Sequence, residues 1–244
     1  MKRLKNTLIA PTAWLSAVIL FLAIAPFEAF GLTFTTIDVP GAIRTLAIGI
    51  NTYGDIVGWF QDPKGIIHGF LLSEGSFTTI DAPGATHTVA LGINVRGQIV
   101  GHHVSGEKFQ SFLLDNGNFT TIDVPGSTST GVQGINNQGQ IVGDYIDASG
   151  THGFLLEDGN FTTIDDVSGG VRFVDAGGIN ARGQIVGEQF DEGMRGFLLD
   201  KGDFTTIDVP GAAGTTALGI NTRGQIVGMY VTPRTGAEHG FVAE

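Results

Sequence analysis

The 244-residue chain has no cysteine, which excludes disulfide bridges, thiolate metal sites and a cysteine-linked lipid anchor. A chain this long buries enough surface to fold without cross-links. Charge is sparse at 15%, and positive charge sparser still, with 13 Lys and Arg against 24 Asp and Glu and a net charge of −11. So acidic a surface repels phosphate backbones and anionic lipid, which points away from nucleic acid and from membrane surfaces as partners. Beyond the first thirty or so residues no helical apolar period is found. No G-x-S-x-G, H-E-x-x-H, phosphate loop or D-x-D-x-D-G calcium loop is present, and no cofactor motif. What the chain does have is 38 glycines and 42% hydrophobic residues, a composition suited to one large globular unit.

The N-terminus differs from the remainder. Lys2, Arg3 and Lys5 form a basic start, Leu15 to Ala25 is an apolar run broken only by Ser16, and Ala29-Phe30-Gly31 supplies small residues for cleavage. This is the layout of a secretory signal peptide over residues 1–31. An uncleaved anchor is the alternative, since Ala10 to Phe27 nearly reaches spanning length. Cleavage predicts an exported protein, extracellular or periplasmic, with no stable membrane insertion. Losing three basic and one acidic residue takes the net charge from −11 to −13 over residues 32–244.

Residues 32–244 are one pattern written five times. Phe-Thr-Thr-Ile-Asp begins at Phe34, Phe77, Phe119, Phe161 and Phe204, at spacings of 43, 42, 42 and 43. Each copy holds four short segments rich in Ile, Val, Phe and Thr, with turn residues between them. In order they are D (FTTID), A (such as TVALGI), B (such as QIVGHH) and C (such as GFLL). C joins D through two-residue turns such as Asn116-Gly117, and A joins B through Asn-x-x-Gly, as at Asn136 to Gly139. Four strands in about 42 residues is the size of a propeller blade. The pattern opens on a D segment, Phe34–Asp38, and stops on a C segment at Ala243, so each lacks the partner it has in every other copy. Pairing them closes a ring and removes two sheet edges, which a solenoid or prism does not require. The expected fold is therefore all-β: a five-bladed β-propeller of four-stranded blades, closed by the N-terminal strand on the C-terminal one.

The runs Gly134-Ile135-Asn136-Asn137-Gln138-Gly139-Gln140-Ile141-Val142-Gly143, His152 to Leu156 and Asp158 to Asp165 carry a resemblance as well. They resemble the bacterial "probable extracellular repeat, HAF family", across nearly all of residues 32–244. The resemblance implies export and no particular activity. Copy four departs from it, with Asp165-Asp166-Val167-Ser168-Gly169-Gly170 where the others carry Asp-x-Pro-Gly, leaving its D–A connection open.

If A lines the axis and D lies outermost, the D–A and B–C loops share one face, and the B–C loops vary most between copies. Loops on a rigid scaffold commonly carry binding, though they also vary where nothing constrains them. Beside that face stand His68, Gln110, His152, Arg195 and His239, equivalent donors at the start of each C segment. They form a ring of ligand-binding candidates, one per blade, suited to glycan or a cell-surface protein. The plainer role is a bond to the neighbouring blade's backbone. The interruption by Gln and Arg speaks against a metal site. The D-strand aspartates, such as Asp81 and Asp123, read as turn acceptors.

An enzyme requires residues that break the symmetry. After the second glycine of each B motif stand Trp59, His102, Asp144, Glu188 and Met229, and Asp175 is the lone carboxylate on an A segment. Paired carboxylates can cleave glycosides. The sequence thus leaves two main classes: an exported, non-enzymatic binding or structural scaffold, and a glycan hydrolase with one axial site built from Asp144, Glu188, His102 and Asp175. An inert spacer remains beside them.

Overall fold

A computed structural model describes residues 35–165, 173–190 and 193–244. The signal peptide and the atypical turn of copy four, from Asp166 on, lie outside the described residues. The described chain is all β-strand, with Ile37–Glu244 forming one unit. Blade 1 consists of β1 (Arg44–Ile50), β2 (Ile56–Gln61), β3 (Ile67–Ser73) and β4 (Ser76–Ile80). Blade 2 is β5 (His87–Ile93), β6 (Ile99–Ser105), β7 (Lys108–Asp115) and β8 (Asn118–Ile122). Blade 3 follows as β9 (Ser129–Ile135), β10 (Ile141–Ile146), β11 (Thr151–Glu157) and β12 (Asn160–Ile164). Blade 4 holds β13 (Phe173–Ile179), β14 (Ile185–Phe190), β15 (Met194–Asp200) and β16 (Asp203–Ile207). Blade 5 contributes β17 (Gly214–Ile220), β18 (Ile226–Val231) and β19 (Glu238–Ala243). Strands pair antiparallel in chain order within each blade, and the fold is a five-bladed β-propeller.

The strand expected to complete blade 5 begins at Phe34, outside the described residues, and its described part, Thr35–Asp38, forms no strand.

The sequence explains the blade locally. At the hairpins joining third to fourth strands, Glu74, Asn116, Asp158 and Lys201 have φ of 48–54°, each followed by a glycine of positive φ. Both central residues are then left-handed, the turn whose twist matches paired strands. The glycine of each Ile-Val-Gly faces the first strand of its blade so closely that a Cβ at Gly143 would overlap the Gly131 carbonyl oxygen. Within each of the first four blades a buried third-strand phenylalanine, Phe70, Phe112, Phe154 or Phe197, packs on Phe77, Phe119, Phe161 or Phe204 of the fourth strand with ring centroids 5.0–5.6 Å apart. The loops leading into blades 1, 2, 3 and 5 are pinned alike, by backbone N–H groups of Val39, Ala82, Val124 and Val209 donating to Thr45, Thr88, Thr130 and Thr215. Copy four has Val174 in place of that threonine.

Candidate functional site

The first strand of every blade carries a bulge at the same place, between Ala47 and Gly49 in blade 1 and at the equivalent residues elsewhere. A bulge bends the strand and re-aims the extra side chain. Here the extra residues are Ile48, Leu91, Gln133, Gly177 and Leu218, and all five line one cavity on the axis. The cavity measures about 620 Å³ and is completed by Asp175, Gly187, Glu188, Thr216, Ala217 and Met229. It is walled by the middles of the first strands and reaches toward the variable loops at Asp175 and Thr216, which stand early in theirs.

Around this end runs a ring of cross-strand pairs, one per blade: Leu46 with Trp59, Val89 with His102, Gly131 with Asp144, Asp175 with Glu188, and Thr216 with Met229. Their chemistry changes from blade to blade. Blades 1 and 2 present Leu46, Trp59, Val89 and an imidazole, whereas blades 3 and 4 present three carboxylates. Asp144 lies over Gly131, its Oδ1 2.9 Å from where a Cβ would stand, so the glycine makes room for the carboxylate. Asp144 shares a side cavity of about 420 Å³ with His102, Phe109 and Gln133. His102 packs tilted on Phe109 at 4.7 Å.

The carboxylates are not equivalent. Glu188 Oε2 accepts a hydrogen bond from Thr216 Oγ1 at 2.5 Å. Asp175 Oδ1 is buried and has no hydrogen-bond partner among the described residues. Burial first, and then the charges of Asp144 and Glu188, push the Asp175 pKa up to about 7. Burial also raises Asp144, against a hydrogen bond from the Gln133 side chain. His102 is lowered by burial and by the neighbouring His103, which favours neutral imidazole. At neutral pH the site therefore holds a carboxyl that can donate a proton beside one that accepts a hydrogen bond.

The structure thus brings Asp144, Asp175, Glu188 and His102 to one end of the axis. The carboxylate facing Glu188 is Asp175 of its own blade. Gln133 and Thr216 belong to the site without having been singled out as site residues. A polar Gln133 where other copies have Ile48, Leu91 and Leu218 was the available signal.

The five C-segment candidates divide differently. His68 Nδ1 lies 2.9 Å from Asp81, and His152 Nδ1 2.9 Å from Asp165. Both partners lie across the same sheet, so these imidazoles clip the third strand to the aspartate following the fourth. His152 Nε2 also approaches Ser149 Oγ at 2.9 Å, the spacing of a nucleophile and its base. That hydroxyl is donated to Asp147 at 2.5 Å, so it serves the loop. His68 lines a groove of about 660 Å³ with the loop 81–87. Gln110 lines a similar one of about 480 Å³ with residues 121–123 and 127–130. His239 stacks on Tyr230 at 5.1 Å. Arg195 stands opposite Gln189 on the paired strand. Among the described residues no three His, Asp or Glu side chains are set as metal ligands.

No protein-family model matches the chain, and no curated protein does. Solved structures match it. A putative TolB from Agrobacterium tumefaciens is 14% identical with a TM-score of 0.55, over 78% of this chain and 77% of that one. A mutant of AofleA from Arthrobotrys oligospora is 11% identical at TM-score 0.51, over 86% and 72%. The Aleuria aurantia lectin is 15% identical at TM-score 0.48, over 84% and 76%. At such identities the likeness is one of fold, and what this chain shares with them is the β-propeller.

Proposed function

We propose that the chain is an exported, non-enzymatic binding propeller, a HAF-type repeat protein, that holds a small hydroxyl-rich ligand of the glycan class in its axial cavity. One observation carries the reading: in a molecule of near-identical blades, the residues that differ most in chemistry gather at one end of the axis, and five of them, Gln133, Asp175, Glu188, Thr216 and Met229, line one cavity. An apolar wall of Ile48, Leu91 and Leu218 faces Gln133, Thr216 and carboxyl groups, the mixture of apolar surface and few polar groups that binding sites show. The basic start and apolar run of residues 1–31 support export. Titration calorimetry with mono- and oligosaccharides tests it. One site per chain is expected, weakened at least tenfold by Glu188→Gln. Several equivalent sites indifferent to that change would move binding to the grooves beside His68 and Gln110, and no binding to any glycan would remove the ligand class.

A second reading rests on the raised pKa of Asp175 directly opposite Glu188. A carboxyl whose pKa is raised and a second carboxyl on the facing strand, with Cβ atoms about 4.5–5.5 Å apart, resemble the acid and nucleophile of a retaining glycosidase. Turnover of aryl glycosides, abolished by Asp175→Asn and by Glu188→Gln separately, would establish it. A bound glycan recovered intact keeps the first reading.

A further inference from the structure

Four junctions between successive blades are built alike. At each, an asparagine side-chain amide donates to the backbone carbonyl of the next blade's asparagine: Asn51 to Asn94, Asn94 to Asn136, Asn136 to Asn180 and Asn180 to Asn221, at 3.0–3.2 Å. At each, the second-strand valine is sealed, with Val57, Val100, Val142 and Val186 all at 0% exposure. The fifth junction, from blade 5 to blade 1, is different. Among the described residues the Asn221 amide donates to its own Gln225 and to no neighbouring blade, and Val227 is 52% exposed. On the facing side Ile50 is 67% exposed, against 7% for its equivalent Ile93. Gly49 and Gly178 are crowded by the next blade's backbone, while Gly219 meets only its own Val227. Blade 5 and blade 1 each present half of a junction that matches the other half, and the halves stand apart.

We propose that this seam is a closing joint that gives side access to the axial cavity. In the closed state Val227 meets Ala47 and Ile50, as Val57 meets Ala90 and Ile93, and the Asn221 amide takes the Asn51 carbonyl. In the open state the cavity wall is parted between Ile48 on one side and Leu218 and Met229 on the other. The occupant of each exposed face is the other end of the same chain. Its residues complement the face position for position, and tethering keeps its effective concentration far above that of a second copy. A net charge of −11 further opposes association of copies. Burial of the exposed Val227 and Ile50 drives closure, and separation of the same residues admits a ligand too large for the axial opening. The inference uses packing within the ring and no ligand, so it stands or falls apart from the proposed function.

The absence of native cysteine makes the test clean. Spin labels at Tyr53→Cys and Arg96→Cys, exposed turn positions across an intact junction, give a reference distance by pulsed electron resonance. Labels at Tyr53→Cys and Arg223→Cys, the equivalent positions across the seam, are expected to give two populations: one matching the reference, one longer. Dilution with unlabelled protein should leave both unchanged. Only the longer distance would mean that the joint never closes, and only the reference distance that it never opens. Distances that vanish on dilution would make the seam an interface between copies. Each of these three results overturns the proposal.

Discussion

The two ends of the axis are made by the same strands and have opposite characters. At one end Ile50, Ile93, Ile135, Ile179 and Ile220, with their asparagine turns, repeat the same residue in every blade around a shallow opening. At the other, five cross-strand pairs occupy equivalent positions and no two are alike. Repetition marks the end where blades grip their neighbours, because one bonding pattern serves four of the five junctions. Divergence marks the end where the blades do different work. The propeller separates cohesion from chemistry along a single direction.

The largest effect should come from breaking the constant end. Asn136 is buried, accepts from the N–H groups of Gln138 and Gln140, and donates to Gln140 and to the Asn180 carbonyl. Asn136→Ala should cost about 3 kcal/mol in urea unfolding, since it strands several buried partners at once. Asn221→Ala, exposed and without the inter-blade bond, should cost about 1 kcal/mol. Equal losses would mean that the turn matters and the bridge does not.

The divergent end should respond in the other direction. Because the Asp175 pKa is raised to about 7 from 3.8, the folded protein keeps a proton that the unfolded chain releases. Keeping Asp175 buried therefore costs stability increasingly as pH climbs through that interval, and by a constant amount above it. One pKa unit is about 1.4 kcal/mol, so the ceiling is on the order of 4 kcal/mol. With the cavity open to water, Asp175→Asn should gain roughly half of that at pH 8 and nothing at pH 3. A gain that does not depend on pH would remove the ionisation argument. The smallest effect is expected from Thr216→Val, which deletes the hydroxyl donated to Glu188 and should cost about 1 kcal/mol or less by thermal unfolding.

The blade was legible in the sequence because its signals are local. Asn116-Gly117 and its equivalents dictate tight hairpins, Asn-x-x-Gly dictates the inner turn, and the period counts the blades. Symmetry-breaking residues such as Asp175 and Glu188 were legible as well, since a repeat supplies its own control at each position. Their pairing was not. Whether Asp144 or Asp175 faces Glu188 depends on strand register, which no residue type announces. The bulge that points Gln133 into the cavity was hidden for the same reason: it inserts one residue without changing the composition around it. The partners of His68 and His152 escaped too, because an aspartate thirteen residues away reads first as part of its own turn.

The asparagine bridge has a further consequence. Each side chain bonds the carbonyl of its own counterpart one period along the chain, so the contact refers only to the repeat and never to a particular copy. Deleting or duplicating a whole copy would leave every surviving bridge with the partner chemistry it had before. The junction is thus indifferent to arithmetic, and blade number becomes a quantity that recombination between copies can change in one step. The individuality of Asp144, Asp175 and Glu188 works against such exchange, because a recombination that is silent at one end of the axis rewrites the other.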